Sequence, residues 1–380
     1  MVYVTAHREP SYHQMTLEEF LDDSYTWRPG ITDKTITYTQ KYYSTPWRLL
    51  KDCPVEQYIA QLRQFNELTE PLRQKERSSL YETFYIPKSS GGMRRIDAPL
   101  PELKSALTTL KEILEGPFHI LYHTCAFAYI HGRCTVDAVR RHQQNKSQWF
   151  GKLDLHDFFG STTLDFVMKQ AAMIYPLSEI VMRPHGEAEL RKALELGFLN
   201  GGLPQGTPLS PTLTNIMMIP VDYELSKKLR SGDFESKRFV FTRYADDFHI
   251  SSRQTFNVSA VQKAIVDVLA SFGAPFTINE KKTRYGSVKG KNWILGVMLN
   301  SDNEITIGHK KKDQFRAALT NFARDYKAGN KWDNGEIMYI LGLHSYYLMV
   351  EEKAIKGMVD YVNRKVGMDT IGTMKSIVTA

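Results

Sequence analysis

The middle third of the chain limits the fold most. Apolar runs of strand length alternate there with stretches of helical period. KLDL begins at Lys152, TLDFVMKQAAMI at Thr163, EAELRKALELG at Glu187 and PTLTNIMMIPVDYELSKKLR at Pro211. FVFTRY and FHISS then flank Ala245-Asp246-Asp247. Alternation of this kind predicts an α+β layer with helices packed on one face of a sheet. Pro220 lacks an amide proton and is predicted to kink or interrupt the longest helix.

The flanks are also readable. LYETFYIPK and RRIDAP surround the turn-forming SSGG at 89–92 and predict a hairpin near 80–98. PELKSALTTLKEILEG then predicts a helix opening at Pro101 and stopping at Gly116. Upstream, Thr16 with Glu19 reads as a capping box, and Pro54 opens the amphipathic VEQYIAQLRQFNELTEPLRQ. Beyond residue 256 a helix is followed by FTINEKKTRY and NWILGVML, both read as strands. From His309 the pattern is helical to the end, through KKKDQFRAALTNFARDYK, GEIMYILGLHSYYLMV and EKAIKGMVDYVNRKV.

Composition narrows the class. At 380 residues, 42% hydrophobic and 24% charged, the chain is globular and large enough for two or three domains. Forty-nine basic against forty-two acidic residues leave +7, which favours a polyanionic partner. Cys53, Cys125 and Cys134 lack CxxC spacing and predict free thiols rather than zinc or a disulfide framework. The first twenty residues have no leader pattern, and no run approaches the ~20 apolar residues of a membrane span. A cytoplasmic protein with no membrane partner is expected.

Two acidic signals carry the chemistry. Asp154 ends an apolar strand in KLDLHDFF, and Asp246 and Asp247 lie between two strands. A tight turn at Ala245-Asp246-Asp247 would present carboxylates at a sheet edge, and a neighbouring strand would bring Asp154 to them. Carboxylates without Cys or His partners suit Mg²⁺, a hard ion that completes its shell with water and phosphate. Two such ions ~3.5–4 Å apart activate a sugar hydroxyl and stabilise leaving pyrophosphate. An Asp-Asp pair alone is more often a solvated turn.

These segments resemble the reverse transcriptase family. Tyr244-Ala245-Asp246-Asp247 is similar to the YxDD motif, Asp154-Leu155-His156-Asp157-Phe158-Phe159 to the first palm motif, and LPQGTPLSPTLTN at 203–215 to the motif between them. IPKSSGGMRRIDAP at 86–99 resembles the fingers hairpin of bacterial members. NEKKT at 279–283 resembles the lysine-bearing palm motif, and ILGVMLN at 294–300 the palm–thumb junction. The resemblance spans residues 76–380 and implies a right-hand polymerase of α+β class, with an antiparallel palm sheet and a helical thumb. It implies fingers at 76–150, a palm at 151–300 with fingers-palm helices at 163–230, and a thumb at 301–380, while residues 1–75, outside the resemblance, read from their own pattern as an N-terminal helical extension.

The resemblance also implies roles for single residues. Asp154, Asp246, Asp247 and Lys282 are the catalytic set, with Lys282 protonating pyrophosphate and Lys281 its neighbour in sequence. Metal, Mg²⁺ or alternatively Mn²⁺, is held by Asp154, Asp246, Asp247 and Leu155, while Asp157 is structural or solvent-facing. Arg94 and Lys88 bind the triphosphate, with Arg95 adjacent. Gln205 and Gly206 meet the nucleotide or template. Phe159 abuts the sugar 2′ position and selects dNTPs, while one of Phe158 and Phe159 suits the core. Lys281, Lys282, Arg284, Lys289 and Lys291, and Lys310, Lys311, Lys312 and Arg316, are candidates for duplex phosphate contact. Tyr346 and Tyr347, with Gly342, fit either a minor groove or the core.

The implied activity is RNA-directed DNA synthesis on a primer 3′-hydroxyl. The partners are an RNA template, expected to be a noncoding RNA, a DNA product or RNA–DNA hybrid, dNTPs, and an accessory protein or a second copy. Residues 248–380 leave room for the rest of a palm and a thumb without a nuclease domain. A stand-alone bacterial enzyme of anti-phage defence ranks first, and a retron enzyme making a short RNA-linked DNA second. Asp137-Ala138-Val139-Arg140-Arg141-His142 only echoes the retron NAxxH signature, its histidine one residue late, and Ile294-Leu295-Gly296 replaces VTG. Template-independent or protein-primed synthesis and a non-catalytic RNA-binding scaffold are the remaining alternatives.

Overall fold

The computed structural model describes residues 55–88, 91–115, 122–175, 177–288, 296–300 and 302–379. The expectations at Thr16, Glu19, Cys53, Pro54, Lys289, Lys291 and the first part of NWILGVML lie outside them. The described chain forms two compact units. The first gathers residues up to Ala126, His156–Lys227 and Ile265–Thr277. The second gathers Phe127–Leu155, Lys228–Ala264 and Ile278 onward.

In the first unit, the amphipathic stretch forms α1 (Val55–Leu68), burying Tyr58, Ile59, Leu62 and Phe65. Pro71 falls in the first turn of the short α2 (Glu70–Arg73), so the expected single helix is two. The hairpin follows as β1 (Tyr81–Pro87) and β2 (Met93–Pro99), in register from Tyr81 opposite Pro99 to Pro87 opposite Met93. The Lys88 amide donates to the Gly92 carbonyl at 2.9 Å and closes the ladder. Helix α3 (Pro101–Glu115) buries Leu103, Leu107, Leu110 and Leu114, a single stripe at helical spacing.

A helix absent from the sequence reading follows in the second unit: α4 (Thr135–Gln144), capped through Cys134 and Asp137. Next comes β3 (Trp149–Asp154). The chain then returns to the first unit for α5 (Leu164–Ala171), α6 (Leu177–Val181), α7 (Pro184–Glu195), α8 (Ser210–Met217) and α9 (Ile219–Lys228). The break between α8 and α9 lies at Met218, leaving Pro220 in the opening turn of α9, where no amide proton is needed.

The second unit is built on a four-stranded antiparallel sheet ordered β4-β5-β3-β6, with β4 Val240–Tyr244, β5 Asp247–Ser252 and β6 Arg284–Ser287. Helix α10 (Val258–Ser271) contributes its two halves to different units. FTINEKKTRY, expected as a strand, is mostly irregular: Leu155 bridges Ile278, a 3₁₀ turn occupies Glu280–Lys282, and only Arg284–Ser287 pairs with β3. The Asn279 amide donates to the Asp154 carbonyl at 2.8 Å as part of that bridge, and the Asn279 carbonyl then accepts from the Lys282 and Thr283 amides at 3.0 and 3.1 Å, which turns the chain out of the strand.

A short pair, β7 (Met298–Leu299) with β8 (Ile305–Thr306), leads to three helices, α11 (His309–Lys327), α12 (Asn334–Val366) and α13 (Thr370–Thr379). Phe315, Leu319, Phe322, Ile337, Tyr347, Ile355 and Met374 join one apolar cluster there. Tyr347 is therefore a core residue, set edge-on to Phe315. Helix α12 is broken at Glu351 (φ −148°, ψ 60°). The Glu351 carboxylate accepts from Thr306 Oγ1 at 2.8 Å, from the Ile307 amide and from Lys312. Lys311 donates to the Gly296 carbonyl, and Arg316 pairs with Asp313. Three cations of the expected phosphate-binding group are thus engaged within the protein. Among the described residues, no helix is long and apolar enough to cross a membrane.

Candidate active site

The sheet of the second unit places the acidic residues by its pleat. Opposed residues of an antiparallel pair share a face. Asp154 lies opposite Asp247, which lies opposite Tyr244. One step away, Lys152, His249 and Thr242 form the next row of the same face, and Phe150 and Ser251 belong to the row beyond. The other face carries Leu153, Phe248, Ile250 and Phe241, all buried. Apolar anchorage on one face thus fixes carboxylates on the other.

Ala245 and Asp246 form the two-residue turn between β4 and β5. Ala245 has φ +55°, the positive value a tight hairpin demands at its first position, in a conformation that costs a non-glycine residue roughly 1–2 kcal/mol. Arg243, almost wholly buried, donates to the Ala245 carbonyl at 3.2 Å, and the Leu155 amide donates to the Asp246 carbonyl at 3.1 Å. Behind the turn, the fully buried His142 ring bonds Ser251 Oγ at 2.6 Å and Thr242 Oγ1 at 2.8 Å, tying α4 to both strands. Burial, reinforced by His249 and Arg141, holds its pKa well below the usual imidazole range. The echo of the retron histidine is therefore an internal brace.

The carboxylates feel one another. Burial raises the Asp246 pKa to about 6, and the charges of Asp247 and Asp154 push the same way. Asp154 is raised by burial against the opposing pull of Lys282. Lys282 Nζ lies 2.9 Å from Asp154 Oδ2, Asn279 Nδ2 donates to Oδ1 at 3.3 Å, and Lys152 Nζ lies 2.6 Å from Asp247 Oδ2. No hydrogen-bond donor reaches the buried Asp247 Oδ1. Among the described residues, no group of three His, Cys, Asp or Glu side chains is drawn around a common point as a ready ion site. The two lysines, attached to Asp154 and Asp247, balance the charge instead. A raised carboxyl, mutual repulsion and an orphaned buried oxygen all fit a divalent cation. Leu155 buries its side chain, so its only ligand atom is its carbonyl oxygen.

The other expected residues lie in the first unit. Arg94 and Lys88 are exposed on the hairpin. Arg95 is held by Asp97 at 2.8 Å, which distinguishes it from Arg94. The Gln205 carbonyl accepts from the Asp97 amide at 2.8 Å. Gly206 (φ +121°) lies so close to β2 that an added Cβ would sit 2.9 Å from Ile96 and 3.0 Å from the Asp97 carbonyl oxygen. Phe158 is buried against Phe276, while Phe159 stays half-exposed. Asp157 is solvent-facing.

A sequence profile described as reverse transcriptase (RNA-dependent DNA polymerase) matches residues 86–331, well over half the chain. The chain belongs to the reverse transcriptase family. It is an RNA-directed DNA polymerase, a nucleotidyltransferase of α+β right-hand fold. It is 28% identical over 306 residues to the retron Ec83 reverse transcriptase of Escherichia coli, covering 78% of this chain and 89% of that one. With the retron Mx65 reverse transcriptase of Myxococcus xanthus it shares 27% over 282 residues, covering 70% and 62%. Apo telomerase from Candida tropicalis superposes on 80% of this reverse transcriptase and 59% of its own chain, with a TM-score of 0.47 and 14% identity. Three contributors to the carboxylate site escaped the sequence reading: Lys152, Asn279 and Arg243. Only Lys152 carried a signal, since period two puts it on the face of Asp154.

Proposed function

We propose that Asp154, Asp246 and Asp247, with the Leu155 carbonyl, hold the magnesium ions of dNTP addition to a primer 3′-hydroxyl, Mn²⁺ being the alternative. Bound there, the ions supply the positive charge that acidifies the hydroxyl and stabilises leaving pyrophosphate. The protein's residues do the rest. Asp154 and Asp246 are the direct ligands, and Lys152 holds Asp247 in register. Lys282 leaves Asp154 when the site fills and donates a proton to pyrophosphate. Arg94 and Lys88 bind the triphosphate, Gln205 and Gly206 meet the nucleotide or the template, and Phe159 excludes a 2′-hydroxyl.

One observation carries this reading: Asp154 and Asp247 face each other across the pair β3–β5 with Asp246 in the adjoining turn, and burial together with the charges of the other two raises Asp246 to about 6. Asp246→Asn tests it. Incorporation is expected to vanish while RNA binding stays nearly intact, and continued incorporation by this variant refutes the metal assignment.

The polymerase acts, in this reading, as a stand-alone bacterial enzyme of anti-phage defence, in the cytoplasm, copying a noncoding RNA that it carries. Retron synthesis of a short RNA-linked DNA is the second reading, favoured by the retron relatives at 27–28% identity. Sequencing the nucleic acid that co-purifies with the protein separates them. DNA joined to its template RNA supports the retron reading, and DNA without an RNA counterpart supports template-free or protein-primed synthesis. The mass of the same particle reports an accessory protein or a second copy.

A further inference from the structure

Beside the catalytic turn stands an aromatic group that the steps above do not use. Its outermost member, Tyr129, has φ +58°, a backbone conformation that bulky L residues rarely adopt. The segment leading to it is fixed, because the Phe127 amide donates to the Arg243 carbonyl at 2.9 Å on the open edge of β4. From this anchor the Tyr129 ring lies beside that of Tyr244, with centroids 6.5 Å apart and planes at 45°. Burial, and after it the nearness of Tyr244, raise the pKa of the Tyr346 hydroxyl.

Packing does not explain this placement. Tyr129 is 53% exposed, so its ring gains little from burial while its backbone is strained. Strained residues persist where surrounding structure enforces them, and they concentrate at ligand sites. The pleat makes the site specific. Tyr244 opposes Asp247 and Asp247 opposes Asp154, so Tyr129 extends the row of carboxylates by one ring past the sheet edge. The chain continues through exposed His131 and Gly132 to the half-buried Arg133.

We propose that Tyr129 is a nucleic-acid contact, its ring extended by Tyr244 and packing against the sugar of the primer's terminal nucleotide, which leaves the face of that base to the incoming nucleotide. Sugars are alike in every sequence, which suits an enzyme that must hold every primer end it creates. The inference rests on the carboxylate reading, which is what puts the primer end at this turn.

The test is the affinity of a labelled DNA primer annealed to an RNA template, measured by fluorescence anisotropy with EDTA present so that no extension occurs. Tyr129→Ala and Tyr129→Gly are each expected to weaken binding about tenfold, and Tyr129→Phe to stay within about twofold of the parent. Tyr129→Gly also relieves the left-handed backbone, so its melting temperature is expected to equal or exceed the parent's, separating loss of contact from loss of fold. The same RNA without primer is expected to bind all variants alike. Unchanged hybrid affinity in the Ala and Gly variants overturns the proposal, and so does an equal loss on unprimed RNA. Extension by Asp246→Asn would refute the carboxylate reading without altering these affinities, so the two failures are distinguishable.

Discussion

The hairpin β1–β2 and the pair β3–β5 are antiparallel ladders of similar length, seven and six residue pairs. Six of the seven residues of β1 are exposed, whereas Leu153, Phe248 and Ile250 in the other ladder are fully buried. The hairpin leaves its cations exposed, and apart from its own ladder it is held at β2, where the Asp97 amide donates to the Gln205 carbonyl. The sheet bears like charges that repel, and a well-packed opposite face holds them together. Burial thus goes with crowded charge, and exposure with the cations of the hairpin.

The sharpest way to break this contrast is to remove one ring from each ladder. Phe248→Ala is expected to cost about 3–5 kcal/mol of stability. Phe84→Ala, on the exposed hairpin, is expected to stay within ~0.5 kcal/mol. Urea denaturation reads both, and equal costs would remove the distinction.

Next is the charge crowding itself. Asp246 ionises at about 6 in the folded protein against an ordinary 3.8, so between those values the native state binds more protons than the unfolded chain. In the absence of divalent ions, stability is therefore expected to fall as pH rises from 4 to 6, by about 2–3 kcal/mol, and then to level off. Added Mg²⁺ opposes the repulsion and competes with the proton, so it is expected to raise the melting temperature more at pH 7 than at pH 5. An equal rise at both values would disconnect the ion from these carboxylates.

Phe159→Ala is expected to narrow the preference for dNTPs over rNTPs by about 2 kcal/mol in kcat/KM, with the melting temperature nearly unchanged because the ring is half-exposed. Unaltered sugar discrimination would remove Phe159 from the nucleotide site. Smallest is the hairpin cation. Arg94→Ala is expected to raise the dNTP KM by about 1.5 kcal/mol, and Arg95→Ala by much less, since Asp97 holds Arg95. A larger effect at Arg95 would exchange their roles.

The hairpin, the helix at Pro101 and the interruption near Pro220 were legible because turn residues, prolines and periodicity act locally. The turn at Ala245-Asp246 was legible for the same reason. Helix α4 was not, since its cap is a cysteine rather than serine or threonine, and the segment was read only as a motif. The strand expected through FTINEKKTRY is interrupted because the Asn279 carbonyl accepts from the Lys282 and Thr283 amides and closes a 3₁₀ turn between the bridge at Ile278 and β6. Of the basic run at 310–316, sequence gives only charge. Lys311 and Lys312 turn inward because Gly296 and Glu351 await them.

Residue order alone determined the chemistry available to this protein: which strands end in aspartate, which loop carries glycine and glutamine, and where helices must stop, all properties of neighbours in the chain. Tertiary structure decided which charges meet. Lys152 reaches Asp247 and Lys282 reaches Asp154 across separations of 95 and 128 residues. Such pairings depend on sheet register and on the apolar face beneath it, and no local pattern encodes a distance between segments that only a shared core brings together.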